Sequence, residues 1–225
     1  MLKIALIGFL SGIVGTFLGG VISFVFRNKA DKYLGFFMGI AGGIMLSVVT
    51  FDLLSEAMEQ IGVNLTVLYT FLGVLISVML KKIIHFDGML KTGYLIFLSI
   101  LLHNFPEGLA IGSSFLLRES LGFTLAIVIG IHNVPEGIAM ALSLIKGKMK
   151  ISKVMLFTIL AGVPMGVGSY FGAYFAESFS SVIGIFLAIA GGTMLYVTLE
   201  EIFPNSKTIY SIIGFLLGIV IVKVF

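Results

Sequence analysis

The sequence predicts an all-α membrane protein: eight transmembrane helices in a single transporter-like domain over residues 1–225, with spans 1–3 repeated in inverted orientation as spans 6–8 around a central pair, 4–5. Three observations carry that prediction. Hydrophobic residues make up 59% of the chain and charged residues only 11%, where a soluble domain would carry roughly a quarter. Apolar runs of about 20 residues, enough to cross about 30 Å of hydrocarbon, follow one another with little chain left over. Finally, two of the three histidines lie in copies of one charged hexapeptide, HNFPEG at 103–108 and HNVPEG at 132–137.

The first run, 2–26, opens MLKIALIGFLSGIVG. One lysine before an apolar stretch resembles a secretion signal, but no small-residue cleavage site follows and the apolarity continues to Phe26, too far for a signal core. It reads as an uncleaved span. The second run, 33–54, contains Asp52, with Glu56 just beyond its end, and the third, 62–80, carries no charge. Runs four (93–117) and five (120–145) each hold a hexapeptide at their centre: Phe105 is the midpoint of one, and His132 and Asn133 flank the midpoint of the other. Runs six (151–175), seven (178–200) and eight (208–225) complete the set. Glycines four apart, such as Gly15/Gly19 and Gly108/Gly112, recur along these runs and predict close helix packing.

Charge placement orients the chain. Of the 14 Lys and Arg residues, all but Lys3, Arg118 and Lys223 fall in the connections after spans one, three, five and seven. By the positive-inside rule those connections are cytoplasmic and both termini face outward, across a cell (inner or plasma) membrane. The basic pI of 9.1 therefore reflects membrane orientation and predicts no nucleic-acid partner. The absence of cysteine excludes disulfides, thiolate ligands and thiol catalysis.

With the connections set aside, the charged residues left in or beside the spans are all acidic: Asp52, Glu56, Glu107, Glu136, Glu200 and Glu201. A carboxylate at the bilayer centre costs roughly 2.5–3.5 kcal/mol on the insertion scale, so such groups mark a polar path or a site. Several acids without a basic partner must be protonated or hold a cation. Residues four apart on a helix are about 40° apart around its axis, so His103 shares a face with Glu107, and His132 with Glu136, with Asn104 and Asn133 flanking. Pro106 and Pro135 each free a carbonyl one turn back and predict a kink. Gly108 and Gly137 let another helix approach. If the two helices face each other, two imidazoles, two carboxylates and two amides converge at the midplane, a donor set suited to Zn²⁺, Fe²⁺ and, through its carboxylates, Mn²⁺. One such His/Glu pair alone is as well explained as a packing device; two in register at one depth are not, and a proton relay without metal is the other reading they leave open.

The stretches AGGIMLSVVTFDLLSE (41–56) and AGGTMLYVTLEEIFPN (190–205) align Met45 with Met194 and Asp52 with Glu201. They lie in spans of opposite direction, hence the inverted repeat, a transporter signature when a site sits at the midplane. Asp52 then stands near the external mouth and Glu200 and Glu201 near the cytoplasmic one, with Met45 seven residues from Asp52 on the same face.

The paired hexapeptides in consecutive spans and the eight-span layout resemble the ZIP (Zrt-, Irt-like) family of metal-ion transporters, in its bacterial zinc-uptake and GufA-like branch. The resemblance implies a midplane metal site made by His103, Glu107, His132 and Glu136, with Met45 as neighbour and Asn104 and Asn133 serving a second ion. Family members with two ions add a glutamate from span six; here Val163 stands in its place, in GVPMG, so one well-held ion is expected. The implied function is transport of a divalent transition metal, Zn²⁺ first and Fe²⁺, Mn²⁺, Co²⁺ or Cd²⁺ behind it, into the cytoplasm past Asp52 and out past Glu200 and Glu201. The metal is substrate and no resident cofactor is expected; the bilayer is the other partner, and a homodimer is left open. A membrane-embedded metalloenzyme and a cation channel are the competing classes. The enzyme class usually wants His-Glu-x-x-His and an open coordination position, whereas here Glu follows His by four; flux kinetics would separate carrier from channel.

Overall fold

Without water to bond to, a backbone in lipid must satisfy its own N–H and C=O groups within one segment, which the α-helix does. The computed structural model describes residues 1–175 and 180–224, and among them it contains helices and no strand. Residues 178 and 179 of the expected seventh span, and 225 of the eighth, lie outside the described residues. The helices are α1 (Leu2–Phe26), α2 (Ala30–Val48), α3 (Leu54–Ile83), α4 (Gly88–Leu117), α5 (Glu119–Lys146), α6 (Ile151–Phe175), α7 (Ser180–Val197) and α8 (Thr208–Val224). Among the described residues, five stretches are long and apolar enough to cross a membrane: Leu2–Ile83, which holds α1 to α3, then Gly88–Leu117, Glu119–Lys146, Ile151–Tyr174 and Ser181–Asn205. Thr208–Lys223 is a shorter apolar helix.

Two departures from regular helix matter. Both α2 and α7 widen at their C-terminal ends into a single π turn, Val49–Leu53 and Thr198–Ile202. The first begins four residues after Met45 and contains Asp52, so the regular helix on which a seven-residue spacing would align the two is interrupted. Met45 is fully buried in the apolar core, while Asp52 lines a cavity. The second departure is inside α3, where Gly62 takes φ +77° and the helix breaks. That conformation suits glycine because it has no Cβ. Pro106 and Pro135, by contrast, sit inside helices that remain continuous.

Contacts between charged side chains show which helix ends lie together. Lys3 meets Glu119 at 2.9 Å, and Lys223 lies 6.0 Å from the centre of the Phe51 ring. At the opposite end Lys146 meets Asp31 at 3.0 Å and Lys81 meets Glu201 at 2.8 Å. These contacts bring together the starts of α1 and α5, and the end of α3 with the turn that follows α7. The Lys3–Glu119 pair is mostly solvent-exposed, with side chains 71% and 65% accessible. Exposed pairs contribute about 0–1 kcal/mol, so Glu119→Gln is expected to leave the melting temperature of the detergent-solubilised protein within about 2 °C, measured by intrinsic-fluorescence unfolding.

The central helices are enclosed by close packing. Helix α1 packs on α5 and α6, α4 packs on α5 and α6, and the pairs α3/α7 and α2/α8 flank them. Where α1 crosses α6, a Cβ added to Gly12 would lie only 3.1 Å from the Gly162 carbonyl carbon. On α4 and α5, the glycines that close the hexapeptides fit directly against backbone: a Cβ on Gly108 would strike the carbonyl of Met165, and one on Gly137 the carbonyl of Thr16. The sequence expectation that these glycines admit a neighbouring helix is thus met, by α6 for Gly108 and by α1 for Gly137.

Candidate metal site

The two hexapeptides face each other across the α4–α5 contact. His103, Asn104, Glu107, His132, Asn133 and Glu136 are all buried, none more than 2% accessible. Their pairing differs from the single-helix expectation. His103 Nε2 lies 2.9 Å from Glu136 Oε2, and His132 Nε2 lies 3.2 Å from Glu107 Oε1. The partners are crossed because the helices are antiparallel: two residues one turn apart on α4 meet two residues one turn apart on α5 in reverse order. Among the described residues no three His, Asp or Glu side chains converge on one point. The site is two adjacent His–Glu pairs instead of the single focus that the helix arithmetic predicted.

The flanking amides turn to α6. Asn104 Nδ2 donates to the Ala161 carbonyl at 2.7 Å, and Asn133 Nδ2 lies 3.9 Å from Met165 Sδ. The acceptor halves of the site are left over. His103 Nδ1, His132 Nδ1, Asn104 Oδ1, Asn133 Oδ1, Glu107 Oε2 and Glu136 Oε1 are buried with no hydrogen-bond partner. Buried polar atoms are nearly always paired, and leaving one unpaired costs about 1–3 kcal/mol. With each Nε2–H donating to a carboxylate, Nδ1 of a neutral ring carries a lone pair, so all six atoms are electron-pair donors. They are of the kinds that bind zinc and neighbouring transition metals.

One end of the site is reached by a cavity. A cavity of about 610 Å³ is lined by Asp52, Glu56, Gln60, Ser113 and Ser114 and reaches Glu107. The expected mouth carboxylate Asp52 is in its wall. At the opposite end Glu201 is buried and Glu200 is exposed, and both are held by Lys81, at 2.8 and 3.4 Å. Sequence reasoning missed Lys81 and treated these acids as unpartnered, because a lysine at the end of α3 gives no local sign that its long side chain crosses to α7. It also missed Met165, two residues beyond Val163, which is fully buried against Asn133 while Val163 is only partly buried. Met45, expected as a neighbour of the site, is fully buried within the apolar core that also holds Met194. His85 and Asp87 are exposed between α3 and α4.

Residues 85–225, which contain both hexapeptides, match the model of the ZIP zinc transporter family. The chain is 40% identical over 117 residues to zinc transporter GufA of Myxococcus xanthus, a match covering 52% of this chain and 46% of that one. It is 33% identical over 104 residues to metal cation symporter ZIP8 of Rattus norvegicus, covering 46% and 22%. To zinc transporter foi of Drosophila melanogaster it is 30% identical over 119 residues, covering 52% and 17%. The chain spans about half the length, or less, of these curated relatives. The matched region covers well over half of this chain, and with it the paired motif: the chain belongs to the ZIP zinc transporter family, and within it is GufA-like.

Proposed function

We propose that the chain carries a divalent transition-metal cation, zinc first, across a cell membrane through the site between α4 and α5. The observation that carries this reading is the set of six buried donor atoms without partners, two imidazole nitrogens, two amide oxygens and two carboxylate oxygens. A cation drawn between the two pairs would take up a subset of these donors and relieve the repulsion between the two glutamates. Zinc suits the mixed imidazole and carboxylate set; iron, manganese, cobalt and cadmium are the runners-up. Val163 brings no oxygen from α6, which favours one firmly held ion. Relatives that are transporters set the enzyme reading aside.

Eight membrane spans in an inverted repeat are part of this proposal. The helix contacts support it: exchanging α1 with α6, α2 with α7, α3 with α8 and α4 with α5 turns the α1/α5 packing into α6/α4, α3/α7 into α8/α2, and α4/α7 into α5/α2, all of which occur. One constant offset in numbering relates Met45 to Met194 and the π turn Val49–Leu53 to Thr198–Ile202. The same offset relates Gly19, packed on Val134, to Gly168, packed on Phe105. By the positive-inside rule the basic connections support a cytoplasmic Lys81 end and external termini. The ion then enters by the Asp52 cavity, binds at the midplane, and leaves past Glu200 and Glu201.

The test is uptake of radioactive zinc by the purified protein in liposomes. Saturable uptake supports a carrier, linear and fast flux a channel, and absence of both uptake and zinc binding overturns the reading. In the same assay Asp52→Asn is expected to raise the zinc concentration for half-maximal uptake by threefold to tenfold with little change in the maximum, since it removes a collecting charge and no midplane ligand.

A further inference from the structure

The two repeat-related carboxylates are in different states. Asp52 lines the open cavity that reaches Glu107. Its counterpart Glu201 has both oxygens engaged: Oε1 by Lys81 Nζ at 2.8 Å and Oε2 by Thr92 Oγ1 at 2.7 Å. Lys81 also reaches Glu200 Oε2 at 3.4 Å, and Asn205 Nδ2 donates to the Glu201 carbonyl at 2.8 Å. Three elements meet at this one carboxylate. Lys81 ends α3, Glu201 lies in the π turn after α7, and Thr92 begins α4, eleven residues and so about 16 Å along the helix from His103.

An ordinary surface ion pair would be worth little. This one is different in burial, because the Glu201 side chain is only 8% accessible and that of Lys81 33%. A buried carboxylate must keep a cation or pay heavily for losing it. A departing metal ion would therefore find the Glu201 carboxylate already neutralised by a cation that the chain supplies.

We propose that Lys81 is a tethered stand-in for the departing ion: its ammonium occupies Glu201 and, through the Thr92 bond to the same carboxylate, holds α4 in the position that leaves the site open toward Asp52. This rests on the transport reading above. Metal reaches Glu200 and Glu201 only when α4 shifts, the Thr92 bond breaks and Lys81 swings aside. Lys81 and Thr92 are thus positioning residues for transport, and the site stays open to one side because the exit carboxylate is filled from the other.

The absence of cysteine from the chain makes the test direct. Ser114→Cys places one thiol in the cavity wall, where a membrane-impermeant maleimide reacts in proportion to the time the cavity is open. In that background Lys81→Gln and Thr92→Val are each expected to slow labelling in liposomes by threefold or more, while Lys81→Arg stays within twofold of the parent. Thr92→Val keeps the ion pair and removes only the link to α4, so it carries the test if Lys81→Gln does not fold. Unchanged labelling in variants that elute and melt like the parent would overturn the proposal. Zinc uptake on the same preparations keeps the two readings apart. Slowed labelling in a parent that moves no zinc would uphold the latch and sink the metal reading; normal uptake with unchanged labelling would do the reverse.

Discussion

Replacing Glu107 and Glu136 together by glutamine is expected to abolish saturable zinc uptake in liposomes while leaving the protein folded. Glutamine keeps the size of each side chain, and its carbonyl oxygen still accepts from the Nε2–H of His132 or His103, so the crossed pairing seen across α4 and α5 survives. What disappears is the negative charge and the anionic donor on each side. Each single substitution should weaken zinc binding by tenfold or more, equivalent to about 1.4 kcal/mol per decade, measured by titration calorimetry. The double variant should lose uptake altogether. Equal uptake by a folded double variant would remove these glutamates from the pathway.

Gly19→Ala is expected to be strongly destabilising for the addition of a single methyl group. A Cβ at Gly19 would lie 2.6 Å from the Ile138 nitrogen and 2.7 Å from the Gly137 carbonyl carbon, with the Val134 carbonyl closer still. All three are backbone atoms of α5, which cannot rotate out of the way as a side chain can. Relief requires α1 to move off α5 at the level of the HNVPEG motif. Overpacking of this kind costs about 1–3 kcal/mol and occasionally more. Gly130→Ala, on the same helix interface, is the control: its nearest contact is the Ser11 hydroxyl at 3.3 Å. Unfolding followed by fluorescence in detergent should show a melting temperature several degrees lower for Gly19→Ala and nearly unchanged for Gly130→Ala. Zinc affinity should fall in the first variant as well, since α1 buttresses Gly137 and hence the register of Glu136.

Much of this was legible in the sequence, for a physical reason. In lipid the backbone has few options, so an apolar run of span length becomes a helix, and the expected 2–26 and 151–175 coincide with α1 and α6. The six motif residues were also legible, because charge at that depth demands explanation. Their pairing was not. Arithmetic on an isolated helix joined His103 to Glu107, whereas the antiparallel neighbour supplies Glu136 at better geometry. Lys81 was illegible for a related reason: a flexible side chain joins residues far apart in sequence, and nothing local marks its destination. The π turns leave no compositional trace at all, and one of them undid the expected alignment of Met45 with Asp52.

Those π turns also give the chain slack. A π turn holds one residue more than the α-helix around it needs, and such turns collect at functional sites. Moving the bulge one position along shifts only the residue it passes, by about 1.5 Å along the axis and about 100° around it, with one hydrogen bond exchanged for another. Asp52 and Glu201 ride on these two turns, one at each end of the bundle. A carboxylate seated on a sliding bulge is geared: a small axial step turns into a large swing of its oxygens, with no need for the helix to melt.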